Sequence, residues 1–194
     1  MKSREEIKKL LVVVDMVNGF IKSGIMHDED INRITPRIKS LVEKYLSEKE
    51  GVAFIKDTHT DDSVEFRKFP PHCVVGTGEE ELIDELKPYE QYGMSFEKNS
   101  TSTMYAPGFM KEIDAMPNLE EVVISGCCTD ICVLNLALPL TNYFDQNNRM
   151  VEIRVPENVV ETYNSETHNR EEYNQMSLKL LKQAGIGVER IWLN

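Results

Sequence analysis

The sequence is poor in the features that would put the chain outside the cell, across a membrane or on a polyanion. Its four cysteines are Cys73, Cys127, Cys128 and Cys132. Two are adjacent and none follows zinc-finger spacing, which argues against a disulfide framework and a structural zinc site. No apolar run approaches the ~20 residues of a membrane span. Leu10–Val14 is short and stops at Asp15, so no secretory signal is expected either, and the expected compartment is the cytoplasm. Basic residues are in deficit: 22 Lys and Arg against 33 Asp and Glu leave a net charge of −11. That balance argues against nucleic acid and anionic membrane as partners and points to a small substrate. No internal repeat, linker or low-complexity segment interrupts the 194 residues. The length fits one domain, 1–194, with a core of its own. Whether copies of the chain assemble is left open.

What is present is globular: 41% hydrophobic and 28% charged residues. Leu10-Leu11-Val12-Val13-Val14 is the unbroken β-branched run expected of a central parallel strand covered on both faces. Further strands are expected at Val52–Ile55, Gly93–Glu97, Val122–Ile124, Met150–Val155 and Val188–Leu193. Helical spacing at Ile31, Ile34, Ile38, Leu41, Val42 and Leu46 predicts a crossover helix. Other helices are expected over 79–86, 107–116, 134–144 and 167–184, with Pro139 kinking or shortening the one it interrupts. Strands and helices alternate, so the fold class is α/β: a parallel sheet with helices on both faces.

Several reactive residues fall at predicted strand ends. Cys132 stands in the first turn of a helix that follows a strand, with Thr129 as a reasonable N-cap. A thiol there feels the positive end of the helix dipole, which favours thiolate; otherwise Cys132 is one more small buried residue. Asp15 closes the first strand, where open α/β sheets place their chemistry, or else it is a turn aspartate. Asp57 and His59 follow the second strand and point to one side of an extended segment. His72 comes later in a loop held extended by Pro70 and Pro71. With one more carboxylate these make a divalent transition-metal site; the alternative is a set of surface polar residues. Lys98 ends the third strand, where most lysines are simply solvated. His27 and His168 have no evident partners and read as surface or capping residues.

Gly126-Cys127-Cys128-Thr129-Asp130-Ile131-Cys132-Val133 resembles the G-x-x-T-D-x-C-V signature of the isochorismatase-like cysteine hydrolases, which include the nicotinamidases. Asp57-Thr58-His59 and Phe69-Pro70-Pro71-His72-Cys73-Val74-Val75-Gly76-Thr77 resemble the D-x-H and [W/F]-P-x-H-C-x-x-G-T blocks of the nicotinamidase branch. The resemblance covers nearly the whole chain and implies a single doubly wound domain with a six-stranded parallel sheet. It implies Asp15, Lys98 and Cys132 as catalytic residues, and the amides of Cys128 and Cys132 as an oxyanion hole, with a cis peptide at Cys127-Cys128. Phe20 and Phe69 become pocket walls. Tyr105 becomes a candidate pocket residue, its alternative being an aromatic cap on the next helix. Asp57, His59 and His72 become ligands of a divalent ion, with zinc the first choice and iron or manganese the alternatives. Glu65 is the choice for fourth ligand, with Asp61 and Asp62 as rivals. The implied activity is hydrolysis of nicotinamide to nicotinate and ammonia through a thioester, in NAD salvage. The alternative is another cysteine amidase of the same family, without metal, acting on a carbamoyl, ureido or other small amide.

Overall fold

The computed structural model describes residues 2–192. Six strands form one sheet: β1 (Lys9–Val14), β2 (Gly51–Asp57), β3 (Met94–Lys98), β4 (Glu121–Cys127), β5 (Glu152–Arg154) and β6 (Val160–Glu161). Their order is β3-β2-β1-β4-β5, with β6 pairing to β4 at Gly126 and Cys127. Every pairing is parallel. The helices are α1 (Asn18–Ile21), α2 (Thr35–Ser47), α3 (Lys87–Glu90), α4 (Phe109–Asp114), α5 (Leu134–Gln146) and α6 (Arg170–Gln183).

The unbroken apolar run of β1 follows from burial on both faces. Leu11 and Val13 pack into one cluster with Ile38, Leu41 and Val42 of α2. Leu10, Val12 and Val14, pointing the other way, pack with Phe109 of α4 and Leu136, Leu140 and Phe144 of α5. The α/β class and the six-stranded parallel sheet are as expected. Because β1 lies between β2 and β4, the chain winds to one side of β1 and then to the other. The carboxyl ends of these strands border the crevice where such sheets bind ligands.

Three local expectations give way. Residues 188–192 form no strand, and Leu193 lies outside the described residues; the sixth strand is β6 instead. Among the described residues, the segment after α6 makes one isolated parallel bridge, Arg154 to Gly187. Residues 79–86 are not helical. The Glu79 and Glu80 carboxylates accept from the Cys73 and Gly76 amides, tying the segment into turns. The last helix starts later than predicted, at Arg170, with Asn169 as N-cap accepting from the Glu172 amide. Pro139 sits inside α5, which runs unbroken from Leu134 to Gln146. No helix among the described residues is long and apolar enough to cross a membrane.

Candidate active site

The site begins with a glycine. The register of β1 on β4 sets Val14 opposite Gly126. A Cβ on Gly126 would stand 1.9 Å from the Val14 carbonyl oxygen, and its φ is +108°. Only glycine allows this approach, so β4 closes directly on the stretch that delivers Asp15. Asp15 itself has φ +52°, a left-handed conformation that aspartate tolerates better than most residues. Its amide donates to the Ile55 carbonyl at 2.9 Å.

Parallel register also makes Asp57 and Lys98 direct neighbours at the ends of β2 and β3. The Lys98 Nζ lies 2.7 Å from Asp57 Oδ1, 2.9 Å from Asp15 Oδ2 and 3.7 Å from Cys132 Sγ. The Asp15 contact is an ion pair of poor hydrogen-bond alignment, so its charge matters more than its bond. All four side chains are buried. Burial alone would drive Lys98 below its usual range, but Asp15, Cys132 and Asp57 together carry it well above. It remains an ammonium. Burial also raises Asp15, and the Lys98 charge only partly offsets this, leaving the carboxyl at about 6. For Asp57 the balance reverses: Lys98, His59 and His72 outweigh burial and hold it below the usual range.

Cys132 departs from expectation in two respects. It sits in a π-helical turn, Thr129–Val133, ahead of α5, and the N-cap position is Cys128; the Thr129 hydroxyl has no partner among the described residues. Its thiol is pushed up, not down. Burial dominates, Lys98 pulls the other way, and Asp15, Asp57 and Cys128 push further up. The resting group is a thiol, because desolvation of an anion outweighs the helix-start field. The Cys127-Cys128 peptide is cis.

Next to this cluster, ligand atoms of Asp57, His59, Glu65 and His72 all lie within 4.8 Å of one another. The His59 and His72 Nε2 atoms each stand 3.0 Å from Asp57 Oδ2. Their Nδ1 atoms face the Asn99 Oδ1 and Pro70 carbonyl oxygens, each at 2.7 Å. A carbonyl only accepts, so His72 Nδ1 carries the hydrogen, and the same assignment suits His59. In neutral rings both Nε2 lone pairs would then face a carboxylate oxygen. One remedy is a second proton on each ring, and Asp57 does outweigh burial to lift His59 above its usual value. Two imidazoliums with centroids 4.7 Å apart would repel, however. A divalent ion resolves the conflict, and the 3.0 Å spacings are close to the ~3.3 Å expected between neighbouring ligands of a tetrahedral ion with bonds of ~2.0 Å. The donor set fits a metal. Glu65, on a short 3₁₀ turn, is the carboxylate brought to it, whereas Asp61 and Asp62 are exposed.

Both clusters open on one pocket. Phe20 and Phe69 line it, together with Asp57, Glu65, His72, Cys128 and Cys132. Tyr105 does not belong there. It ends a 3₁₀ turn in which Thr103 is buried, while Tyr105 itself is 82% exposed; from that loop it is Thr101 that reaches the pocket. Sequence reasoning also missed Met26, Ile131 and Tyr163, which complete the lining. It missed Phe66, whose ring packs 5.2 and 5.7 Å from His59 and His72. Asn99 immediately follows Lys98 and orients His59; that adjacency was the signal for it.

The Isochorismatase domain model matches residues 9–188. Nicotinamidase 1 of Arabidopsis thaliana is 33% identical over 139 residues, which cover 64% of this chain and 57% of that protein; the match spans little more than half the length of that relative. The crystal structure of nicotinamidase PncA from Bacillus subtilis superposes with a TM-score of 0.80 at 28% identity, covering 95% of this chain and 100% of that one. N-carbamoylsarcosine amidase from Thermoplasma acidophilum follows with a TM-score of 0.76 at 26% identity, covering 95% and 96%. With its signature turn, its parallel sheet and a match running over most of its length, this chain belongs to the isochorismatase domain family.

Proposed function

We propose that this chain hydrolyses nicotinamide to nicotinate and ammonia through a thioester on Cys132, as a step of NAD salvage. The observation that carries this reading is the meeting of Asp15, Cys132 and Asp57, one member of the metal-fitting tetrad, around one buried ammonium, Lys98. On substrate binding, Asp15 takes the Cys132 proton. Negative charge then moves from carboxylate to sulfur, an uphill step given the raised thiol, and the Lys98 ammonium beside both groups offsets part of its cost. The sulfur attacks the amide carbonyl carbon, and the Cys128 and Cys132 amides receive the oxyanion. Asp15 returns the proton to the nitrogen as the C–N bond breaks, and ammonia leaves. Asp15 then draws a proton from water, whose oxygen attacks the thioester; the acid departs and the thiol is restored.

Phe20 and Phe69 hold the ring of the substrate between them. Asp57, His59, Glu65 and His72 would hold a divalent ion, with zinc the first choice and iron or manganese the alternatives. When bound, such an ion supplies a Lewis acid for the ring nitrogen and so positions the amide.

The direct test is ammonia release from nicotinamide by the metal-loaded protein, with and without a chelator. Chelation is expected to lower the rate by more than tenfold, and added zinc to restore it. No ammonia under any metal loading would overturn the reading. The likeness to N-carbamoylsarcosine amidase supports a second reading, an amidase for carbamoyl substrates. Faster turnover of N-carbamoylsarcosine, indifferent to chelator, selects it.

Asp15 also predicts a pH profile. Protonated, it cannot accept the thiol proton, so kcat/KM is expected to fall tenfold per unit below about pH 6. A flat profile from pH 5 to 7 removes Asp15 as the base.

A further inference from the structure

His168 has a setting that the chemistry above does not use. It is 6% exposed, and both ring nitrogens face acceptors. Nδ1 is 3.0 Å from the Tyr163 carbonyl oxygen, and Nε2 is 2.8 Å from Asp130 Oδ2. A neutral imidazole has one N–H and one lone pair, so it would set a lone pair against one of these oxygens. Only the doubly protonated ring satisfies both. Two aromatic rings stack on it, Tyr163 at 3.9 Å and 11° and Tyr173 at 3.7 Å and 26°, an arrangement that favours a cation between π faces. The titratable groups facing the ring are Asp130 from the π-helical turn, Tyr163 from the segment after β6 and Tyr173 from α6. Farther along that segment, Arg170 donates to the Thr162 carbonyl and is itself paired with Asp28 and Asp30.

The two partners of His168 bear on the active site. Asp130 belongs to the turn that carries Cys132, and its second oxygen accepts from the Thr162 hydroxyl at 2.5 Å. Tyr163, the next residue, lines the pocket with Cys128 and Cys132. One ring therefore ties the nucleophile turn, a pocket wall and α6 together. We propose that His168 is a positioning residue: an imidazolium, clamped between Tyr163 and Tyr173, that locks the Tyr163 wall of the pocket to the turn bearing Cys132.

The proposal rests on the amidase reading for its kinetic consequence but not for its structural one, and the test separates them. The first measurement uses no substrate: ring ¹⁵N shifts of His168 in the metal-loaded protein at pH 7. Both nitrogens are expected in the protonated range; a neutral tautomer overturns the clamp whatever the activity. The second is steady-state ammonia release by His168→Gln, which loses the cation and one of the two bonds. KM for nicotinamide is expected to rise about tenfold with kcat within threefold, because the wall moves while Asp15, Lys98 and Cys132 stay in place. An unchanged KM, or a loss confined to kcat, overturns the positioning role. Should that variant not fold, Tyr173→Leu removes one stacked ring outside the pocket and is expected to raise KM about threefold; an unchanged KM there counts against the clamp. A wild-type protein that has the cationic ring and releases no ammonia would sink the amidase reading alone. The clamp would then be read from Cys132 alkylation, expected to run at least fivefold faster in His168→Gln; an equal rate overturns it.

Discussion

Cys132→Ala is expected to lower the proposed ammonia release from nicotinamide by roughly 10⁴-fold or more, the scale on which removal of a covalent nucleophile acts, while leaving the fold intact. The side chain is small and buried, so its truncation costs about 1 kcal/mol of stability. Cys132→Ser is the sharper control. It keeps the shape, but Asp15, at about 6, is far too weak a base to draw a proton from an alcohol, so serine is expected to recover less than 1% of the rate. Mass spectrometry of the wild type quenched during turnover should find the acyl group on the peptide containing Cys132. Turnover persisting in the alanine variant would move the chemistry to another residue, and Cys128, half-buried in the same pocket, would be the first to test.

The sequence exposes those parts of this site that lie at the ends of strongly patterned strands. Asp15 follows β1, and Asp57 and Lys98 end β2 and β3; the apolar runs of β1 and β2 are readable because both faces are buried there, and β3 is readable from its alternation at the sheet edge. A parallel sheet then places such ends on one edge without further information. What stays hidden depends on loops or on burial. Glu65, Asp61 and Asp62 are equivalent in composition, and only the 3₁₀ turn at Val64–Arg67 decides which carboxylate faces the histidines. Tyr105 looked equally placed for the pocket, but the turn at Thr103–Tyr105 carries it outward. Tyr163 arrives through β6, two residues long and without periodicity, so nothing in the chain announced it or its partner His168. The direction in which the Cys132 thiol is pushed escapes the sequence for another reason. A helix-start field is a local property that sequence reports, whereas the two carboxylates and the complete desolvation around the sulfur come from distant segments.

Lys98→Met tests the centre of that arrangement, and it is expected to damage stability and activity together. The substitution keeps much of the volume and removes the only cation between Asp15 and Asp57 among the described residues. Leaving buried carboxylates without their counter-charge costs about 3–5 kcal/mol. The rate should fall at least 10³-fold, because charge arriving on Cys132 no longer has a neighbour to hold it. The loss also carries a pH signature. Asp15 already lies above its unfolded value of 3.8, with burial the largest cause and Lys98 the chief restraint; without Lys98 it rises further. A carboxyl with a raised folded pKa binds more protons folded than unfolded, so its contribution to stability falls as pH climbs from its unfolded value through its folded one. The Tm deficit of Lys98→Met relative to wild type is therefore expected to be smaller at pH 5 than at pH 8, the protonated carboxyl needing no partner. Thermal unfolding of metal-loaded protein at the two pH values reads this directly, since the ion would balance Asp57 and leave Asp15 as the uncompensated charge. A deficit that is equal at both, or larger at pH 5, would mean that Lys98 is not the group that keeps Asp15 ionised, and Asp15 would then lose its standing as the base for Cys132.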